Sequence, residues 1–516
     1  MRKSLLYLFC LLILWSCKKE DPIIIPDEPE PVEVKDSVKL LSVKLEPVNN
    51  KGLLITDVYA KIVGNQINVK IPSSADNQKF VPTFSVENAI VTVNDTVQVS
   101  GKTAVDFNRV ITYKLTSPKG KTETFTFNVK YYTEIPILYI YTTDSVEVTS
   151  KDNYINGRVV INTNGLYTQE QNNIPLQIKG RGNSTWGMEK KPYRLKFTNK
   201  APMLGMPTAK NWVLLANYSD KTLMRTSLAF DLGTKLGVDF TPQGRPVELV
   251  MNKKYLGSYF LTYQVEVNEN RVNIPELKKS NTSATEITGG YLLELDQRRD
   301  SDPRFETNRG IPLTIKSPED ITPQQLDYIK TYIQETEDVI NSEDFSANGY
   351  EKYINVESFI NWYIIQELMS NQDAKDFSSI FFYKDRGGKL GLGPLWDFDL
   401  AAGNNDYSDS RYPTGWWIKD GPWFSHLFKD PKFVAKLKTR WNAVKANELK
   451  QIPATIDQNV KYINLSQYEN FNRWPILNKW VWPNQFVLGS YPAEIAQLKK
   501  WLNERISWLD IQINAL

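Results

Sequence analysis

Histidine and cysteine are nearly absent. The 516-residue chain has one histidine, His426, and two cysteines, Cys10 and Cys17, both near its start. Zinc sites built on several histidines are therefore excluded, and so is a Ser-His-Asp hydrolase unless His426 is its base. Beyond Cys17 there is no disulfide, no thiolate metal site and no cysteine nucleophile. Charge of one sign is not in excess: 62 Lys and Arg face 59 Asp and Glu, a formal +3. Over this length that leaves no electrostatic footprint for nucleic acid, and no nucleic-acid partner is expected. The apolar run Leu5–Trp15 is about eleven residues, too short to span a bilayer. A hydrophobic fraction of 41% with 23% charged residues excludes a collagen-like or wholly disordered chain. The length suggests two or three domains.

What is present begins with an address. Arg2 and Lys3 precede the apolar run, which has the length of a signal-peptide core. Leu14-Trp15-Ser16-Cys17 resembles a bacterial lipobox, although Trp15 is bulkier than usual at its position. Cleavage after residue 16 leaves Cys17 to carry lipid, and two or three acyl chains anchor a protein stably without a membrane helix. A plain secretory signal or a lone N-terminal membrane helix are the alternatives. Lys18-Lys19-Glu20-Asp21 resembles the charged signal that sends lipoproteins of Bacteroidetes-type bacteria to the outer surface. The expectation is a lipid-anchored protein of the outer membrane, exposed at the cell surface. Residues 17–36, with Pro22, Pro26, Pro29 and Pro31 among acidic residues, read as an extended linker.

The rest of the chain divides in two. Over 37–134, short alternating segments such as Gln66–Ile71 and Thr122–Val129 are separated by turn formers, among them Pro118-Lys119-Gly120. This pattern predicts a small all-β sandwich, similar to the immunoglobulin-like modules near the N-terminus of surface lipoproteins, serving as a spacer. Over 135–516 the composition changes. Of fourteen tryptophans, all but Trp15 lie at or beyond Trp186. Helices are predicted over 323–342, 356–370 and 492–509 among strand-like stretches, which makes this part α+β.

Five stretches carry candidate chemistry. Lys179-Gly180-Arg181-Gly182 is either a hairpin turn or a loop whose N–H groups can approach a phosphate. In Lys191-Pro192-Tyr193-Arg194-Leu195-Lys196-Phe197, alternation puts Tyr193, Leu195 and Phe197 on one face and Arg194 and Lys196 on the other, either a solvated face or a phosphate grip. Asp220 can cap a helix near Arg225, a structural role. Glu294 and Asp296 share a strand face and are either an exposed strand end or a pair that can bind metal or meet Lys196 or Arg181. Finally, a helix ends before Asp373, a strand and a turn at Gly387-Gly388 follow, and a second segment ends in Trp396-Asp397-Phe398-Asp399, with Asn404 beyond. That hairpin should bring Asp373 and Asp397 together as hard oxygen ligands for Mg2+ or Mn2+. His426, in an aromatic stretch, reads as a packed core histidine, and Trp416, Trp417 and Trp423 as core.

The ordered set of motifs resembles the CotH kinase family: Lys179 to Trp186, Lys190 to Phe197, Leu214 to Lys221, Asn252 to Tyr259, Gly289 to Asp296, Asn371-Gln372-Asp373 and Gly393 to Asp399. The resemblance implies a divergent protein-kinase-like fold over about 135–516 that uses ATP and Mg2+ (or Mn2+) to phosphorylate a protein substrate on Ser or Thr. Carried over, Asp373 is the catalytic Asp. Asp397 is the principal metal ligand, with Asp399 or Asn404 completing the site. Trp396 stacks on adenine, and Lys196 with Arg181 or Lys191 holds phosphates. Three departures stand out. No His-Arg-Asp triplet exists, Ser378 occupies the place of a metal-binding Asn, and Asp399 replaces the Gly of Asp-Phe-Gly. The alternative to an enzyme is a non-catalytic surface scaffold of the same fold.

Overall fold

The computed structural model describes residues 36–516 apart from 52, 55–56, 72–78, 132–133 and 347–348. The leader, Cys17 and the linker up to residue 35 lie outside the described residues. The remainder is a multidomain, β-rich chain whose helices gather toward the C-terminus.

The first part is all β. A three-stranded and a six-stranded sheet enclose a core of their own, with Leu45, Ile67, Phe80, Tyr113 and Leu115 fully buried. The alternation in Gln66–Ile71 is the reason: Ile67, Val69 and Ile71 turn inward and the intervening residues outward. This strand pairs in parallel with Thr122–Tyr131. The module rests on the following part through Lys70 and Glu469, 2.7 Å apart, and through Lys253, 4.0 Å above the Tyr59 ring.

Next comes a closed barrel of seven strands: β1 (Ile137–Thr142), β2 (Ile155–Asn162), β3 (Asn173–Gly180), β4 (Tyr193–Met203), β5 (Met206–Leu215), β6 (Gly244–Met251) and β7 (Lys254–Tyr263). The order is β1-β2-β3-β4-β5-β7-β6, and a parallel pairing of β1 with β6 closes it. Period-two alternation fills the interior with Ile178, Leu195, Phe197, Trp212, Leu249 and Leu261. On β4 it leaves Arg194 and Lys196 facing outward, as the sequence predicts. The closure is not part of the sequence expectation. It joins residues 137–140 to 248–251, a contact without local signature.

The last part contains an antiparallel sheet of β8 (Tyr291–Leu295), β9 (Arg304–Glu306), β10 (Pro312–Ser317), β11 (Ile380–Lys384) and β12 (Leu390–Leu392), in the order β9-β10-β8-β11-β12. Helix α1 (Arg225–Lys235) packs Phe230 against Phe260 on the outside of the barrel. Helix α2 (Pro323–Ser342) starts with Pro323 behind a capping box of Thr322 and Gln325. Helix α3 (Val356–Met369) is capped by Asn355 and buried on nearly every side, so its sequence is apolar all round. These helices and the C-terminal helix Tyr491–Ala515 match the expected positions to within a few residues at most ends. None of the described helices is long and apolar enough to cross a membrane.

One buried ion pair ties this part together. Arg505, fully buried on the C-terminal helix, lies 2.5 Å from Glu367 near the end of α3. Arg505 also donates to the carbonyls of Glu367 and Gly415, and Glu367 accepts the N–H groups of Trp417 and Lys419 at 2.8 Å each. Removing one partner strands a buried charge, which typically costs about 3–5 kcal/mol. Arg505→Ala should therefore lower the midpoint of chemical denaturation by an amount equivalent to roughly 3–5 kcal/mol, with little change in the slope of the transition. An unchanged midpoint would contradict this role.

Candidate functional site

A cleft of about 820 Å3 lies between the barrel and the sheet-and-helix part. Two segments bring Asp373, Asp397 and Asp399 to it. Helix α3 stops because Ser370 takes a left-handed conformation, φ 42°, and the following tight turn Gln372–Ala374 carries Asp373. The β11–β12 hairpin then returns the chain, so that Asp397 and Asp399 reach the same cleft. Asp397 is itself left-handed at φ 63°, a conformation that Asp and Asn tolerate better than most residues. Ser379, at φ 61°, donates its hydroxyl to Asp397 Oδ2 at 3.3 Å. Ser378, at the place of a metal-binding Asn, is fully buried and its hydroxyl has no partner among the described residues.

The loop bearing Asp397 and Asp399 is held from behind. Asp220 pairs with Arg225 at 2.5 Å and accepts the Arg225 N–H, in line with the capping expectation. Arg225 then donates to the carbonyl of Ala401 at 3.0 Å. Asn404 belongs to this scaffolding and not to the ligand set. Its Nδ2 donates to the carbonyls of Asp399 and Ser219, and its Oδ1 accepts from Asn484. The amide is spent on the loop, which corrects its assignment to the metal.

The cations come mainly from the barrel. Arg181 follows β3 in the glycine-rich loop, and both glycines are needed there. A Cβ on Gly180 would lie 2.3 Å from the Trp186 ring. Gly182 has φ 84°, and a Cβ there would meet Thr185 Oγ1 at 2.2 Å. Lys179 and Arg194 line the same wall. Lys191 does not. It donates to the Trp186 carbonyl at 2.7 Å and faces a separate pocket with Glu147 and Lys254. Lys196 sits on the outer barrel face beyond the cleft lining, near Tyr154. Trp396 reaches the cleft, but Arg181 lies 5.6 Å above its ring and Phe230 packs 6.2 Å away. Its ring is therefore engaged by the protein itself, against the expectation of an open stacking face.

Glu294 and Asp296 project from the β8 end into the cleft, and their partners differ from those expected. Glu294 pairs with Lys316 at 3.1 Å and Asp296 with Arg298 at 2.8 Å. Arg298 and Lys316 are absent from the sequence-based set, as are the rim rings Tyr407 and Trp482, stacked 6.0 Å apart. The place of Arg298, two residues after Asp296, is a local signal that could have found it. The rim aromatics carry no such signal. His426 also departs from expectation: it is partly exposed and faces Glu343 at 3.3 Å. Trp423 does pack in the core, against Phe359 and Phe382.

Charge is the decisive property of the cleft. Burial, then the neighbouring Asp397, pushes the Asp373 carboxyl up to about 7. Burial and the charges of Asp397 and Asp373 hold Asp399 far above the ordinary carboxylate range. On the other side, burial lowers Arg181, and Asp397 partly offsets that. Among the described residues, Asp373, Asp397 and Asp399 have no salt bridge, and neither do Lys179, Arg181, Arg194 or Lys196. Such a surplus of oxygen donors suits a hard cation. No closed cage of three or more His, Cys, Asp or Glu stands among the described residues. That is compatible with Mg2+, which commonly takes one or two carboxylates and completes its shell with water and phosphate oxygens.

The sign of the Asp373 shift gives a prediction. Its folded value of about 7 exceeds the ordinary 3.8, so the folded state holds the proton more tightly. Its contribution to stability is full below about pH 4 and is lost as the pH rises toward 7. Asp373→Asn should therefore melt at the parental temperature near pH 4 and increasingly above it up to pH 7–8, in divalent-free buffer. A constant difference across this range would refute the assignment.

No curated protein matches the chain. Among solved structures, a candidate glycoside hydrolase from Bacteroides thetaiotaomicron is similar at 14% identity, covering 57% of this chain and 78% of that one, with a TM-score of 0.17. A likeness that weak carries no argument about fold or activity. The family model described as CotH kinase protein matches residues 178–509, well over half of the chain, including the glycine-rich loop and the segments of Asp373, Asp397 and Asp399. On that match, the chain belongs to the CotH kinase family.

Proposed function

We propose that this protein is a surface-anchored phosphotransferase that moves the γ-phosphoryl group of ATP to a Ser or Thr hydroxyl of a protein, with Mg2+ or Mn2+. The observation that supports it best is the pair of facing, unneutralised charge sets in one cleft: Asp373, Asp397 and Asp399 on one wall, Arg181 and its neighbours on the other. A metal–triphosphate complex has the charges to satisfy both. In this reading 135–516 is a divergent kinase-like unit, 37–134 an immunoglobulin-like spacer, and Cys17 the lipid anchor at the outer membrane.

Asp397 and Asp399 would hold the metal, which would supply positive charge to offset the negative charge of the phosphates in transfer. Arg181 grips phosphate oxygens, with its guanidinium 5.6 Å above the Trp396 ring. Asp373 receives the acceptor hydroxyl, and a carboxylate titrating near 7 is well matched to accept a proton at neutral pH. The bond from the γ-phosphorus to the β–γ bridging oxygen breaks, a bond to the acceptor oxygen forms, and the hydroxyl proton passes to Asp373. A non-catalytic scaffold is the second reading, favoured by the occupied Trp396 ring.

The two readings separate in one assay. The soluble form lacking residues 1–20 should incorporate label from ATP into a mixed Ser/Thr peptide library. Asp373→Ala and Asp397→Asn should each lose at least about 100-fold, the scale of a general base or a metal ligand. Asn is chosen at 397 because it tolerates the left-handed backbone. Mg2+ with a non-hydrolysable ATP analogue should also raise the melting temperature. No incorporation and no thermal shift would leave the scaffold.

A further inference from the structure

The phosphotransfer reading uses only part of the barrel's positive charge. Lys179 and Arg194 stand directly opposite each other across β3 and β4, and Lys196 is opposite Gln177 further along the same face. The alternate positions, Ile178 and Leu195, fill the barrel interior, so all three cations share the outside. Like charges directly opposite each other destabilise a strand pair. Here none of the three forms a salt bridge among the described residues, and the Arg194 Nε is buried without a partner. Lys179 and Lys196 lie 4.8 and 5.8 Å from the centre of the one Tyr154 ring. Asp152 is the one acid that partly offsets the repulsion at Lys179. Glu266 lies within the field of Arg194, but its carboxylate is already engaged by Arg271 and Asn211. The arrangement is a site that an incoming anion would relieve.

Its position separates it from the metal. Arg181 lies beyond the last rung of the β3–β4 pair, Gly180 with Tyr193, and bonds through its N–H to Pro192. Lys196 is four residues beyond Pro192 along the chain, roughly 13 Å at the rise of a strand. Arg181, and not Lys196, lines the cleft beside Asp397 and Asp399. Lys179 and Arg194 line the cleft wall and Lys196 lies outside it, so the ladder leads from the transfer site outward.

We propose that Lys179, Arg194 and Lys196 form a second anion site, which holds a phosphate monoester already present on the acceptor polypeptide while a neighbouring hydroxyl lies at Asp373. The class follows from the donors. A guanidinium fork between two ammonium groups matches a dianion with three acceptor oxygens. It is also the group that the proposed reaction creates, so each transfer prepares the acceptor for the next. This rests on the phosphotransfer reading, and the test keeps the two apart.

The probe is a fluorescein-labelled Gly/Ser peptide with one phosphoserine, beside its unphosphorylated twin, titrated by anisotropy with and without saturating Mg2+ and a non-hydrolysable ATP analogue. The phosphopeptide should bind at least about tenfold more tightly than its twin, the scale of one or two charge-assisted hydrogen bonds. It should bind equally well with the nucleotide present. A Lys196→Gln variant, altered outside the cleft lining, should lose most of that preference while keeping parental nucleotide binding. Displacement of the phosphopeptide by nucleotide would overturn the proposal and make the ladder part of the triphosphate site. Equal affinity for the twin would overturn it as well. Phosphopeptide binding by a parent protein that binds no nucleotide would support the anion site and refute the phosphotransfer reading.

Discussion

The pairing of Glu367 with Arg505 governs the geometry of the whole C-terminal part. It joins the last helix to the end of α3, and α3 ends only a few residues before Asp373. Because both charges are buried, neither can relax into water, and each must be satisfied where it stands. The surrounding carbonyl and N–H partners do so, fixing the aromatic segment at Trp417 as well. The second buried pair, Asp220 with Arg225, does the same for the loop after Asp399 through the Ala401 carbonyl. Two satisfied pairs thus hold in place three carboxylates that are not satisfied.

That contrast gives the cleft its character. Two other acids of the cleft wall meet cations: Glu294 has Lys316 and Asp296 has Arg298. Asp373 and Asp399 have mainly each other and Asp397, so the cost appears as a raised affinity for protons. The barrel wall has the opposite surplus. A site that leaves both signs unpaired at short range can receive a ligand that carries both.

Much of this is legible in the sequence because the signals are local. Alternation at Tyr193–Phe197 separates interior from exterior on β4. The caps at Thr322 and Asn355 mark helix starts. The strand–turn–strand pattern between Asp373 and Asp397 implies that the two acids approach. The failures share another cause. Lys191, Asn404 and Trp396 have suitable chemistry and suitable places in the chain, but each is taken by a partner that spacing does not reveal: the Trp186 carbonyl, Asn484 and Arg181. Barrel closure by β1 and β6 is equally hidden, because it is non-local. Residue type and spacing show where an acid or a cation can go, and tertiary contacts decide whether its polar atoms remain free.

The seating of the N-terminal module on the barrel has a mechanical meaning. Lys70 engages Glu469 and Lys253 covers Tyr59, two contacts on separate elements that together oppose swivelling about either one. A pull on the N-terminal module is then passed to the barrel part as by a strut and not by a slack cord. Since charge contacts of this kind weaken as ionic strength increases, the stiffness of that joint should depend on the salinity of the surroundings.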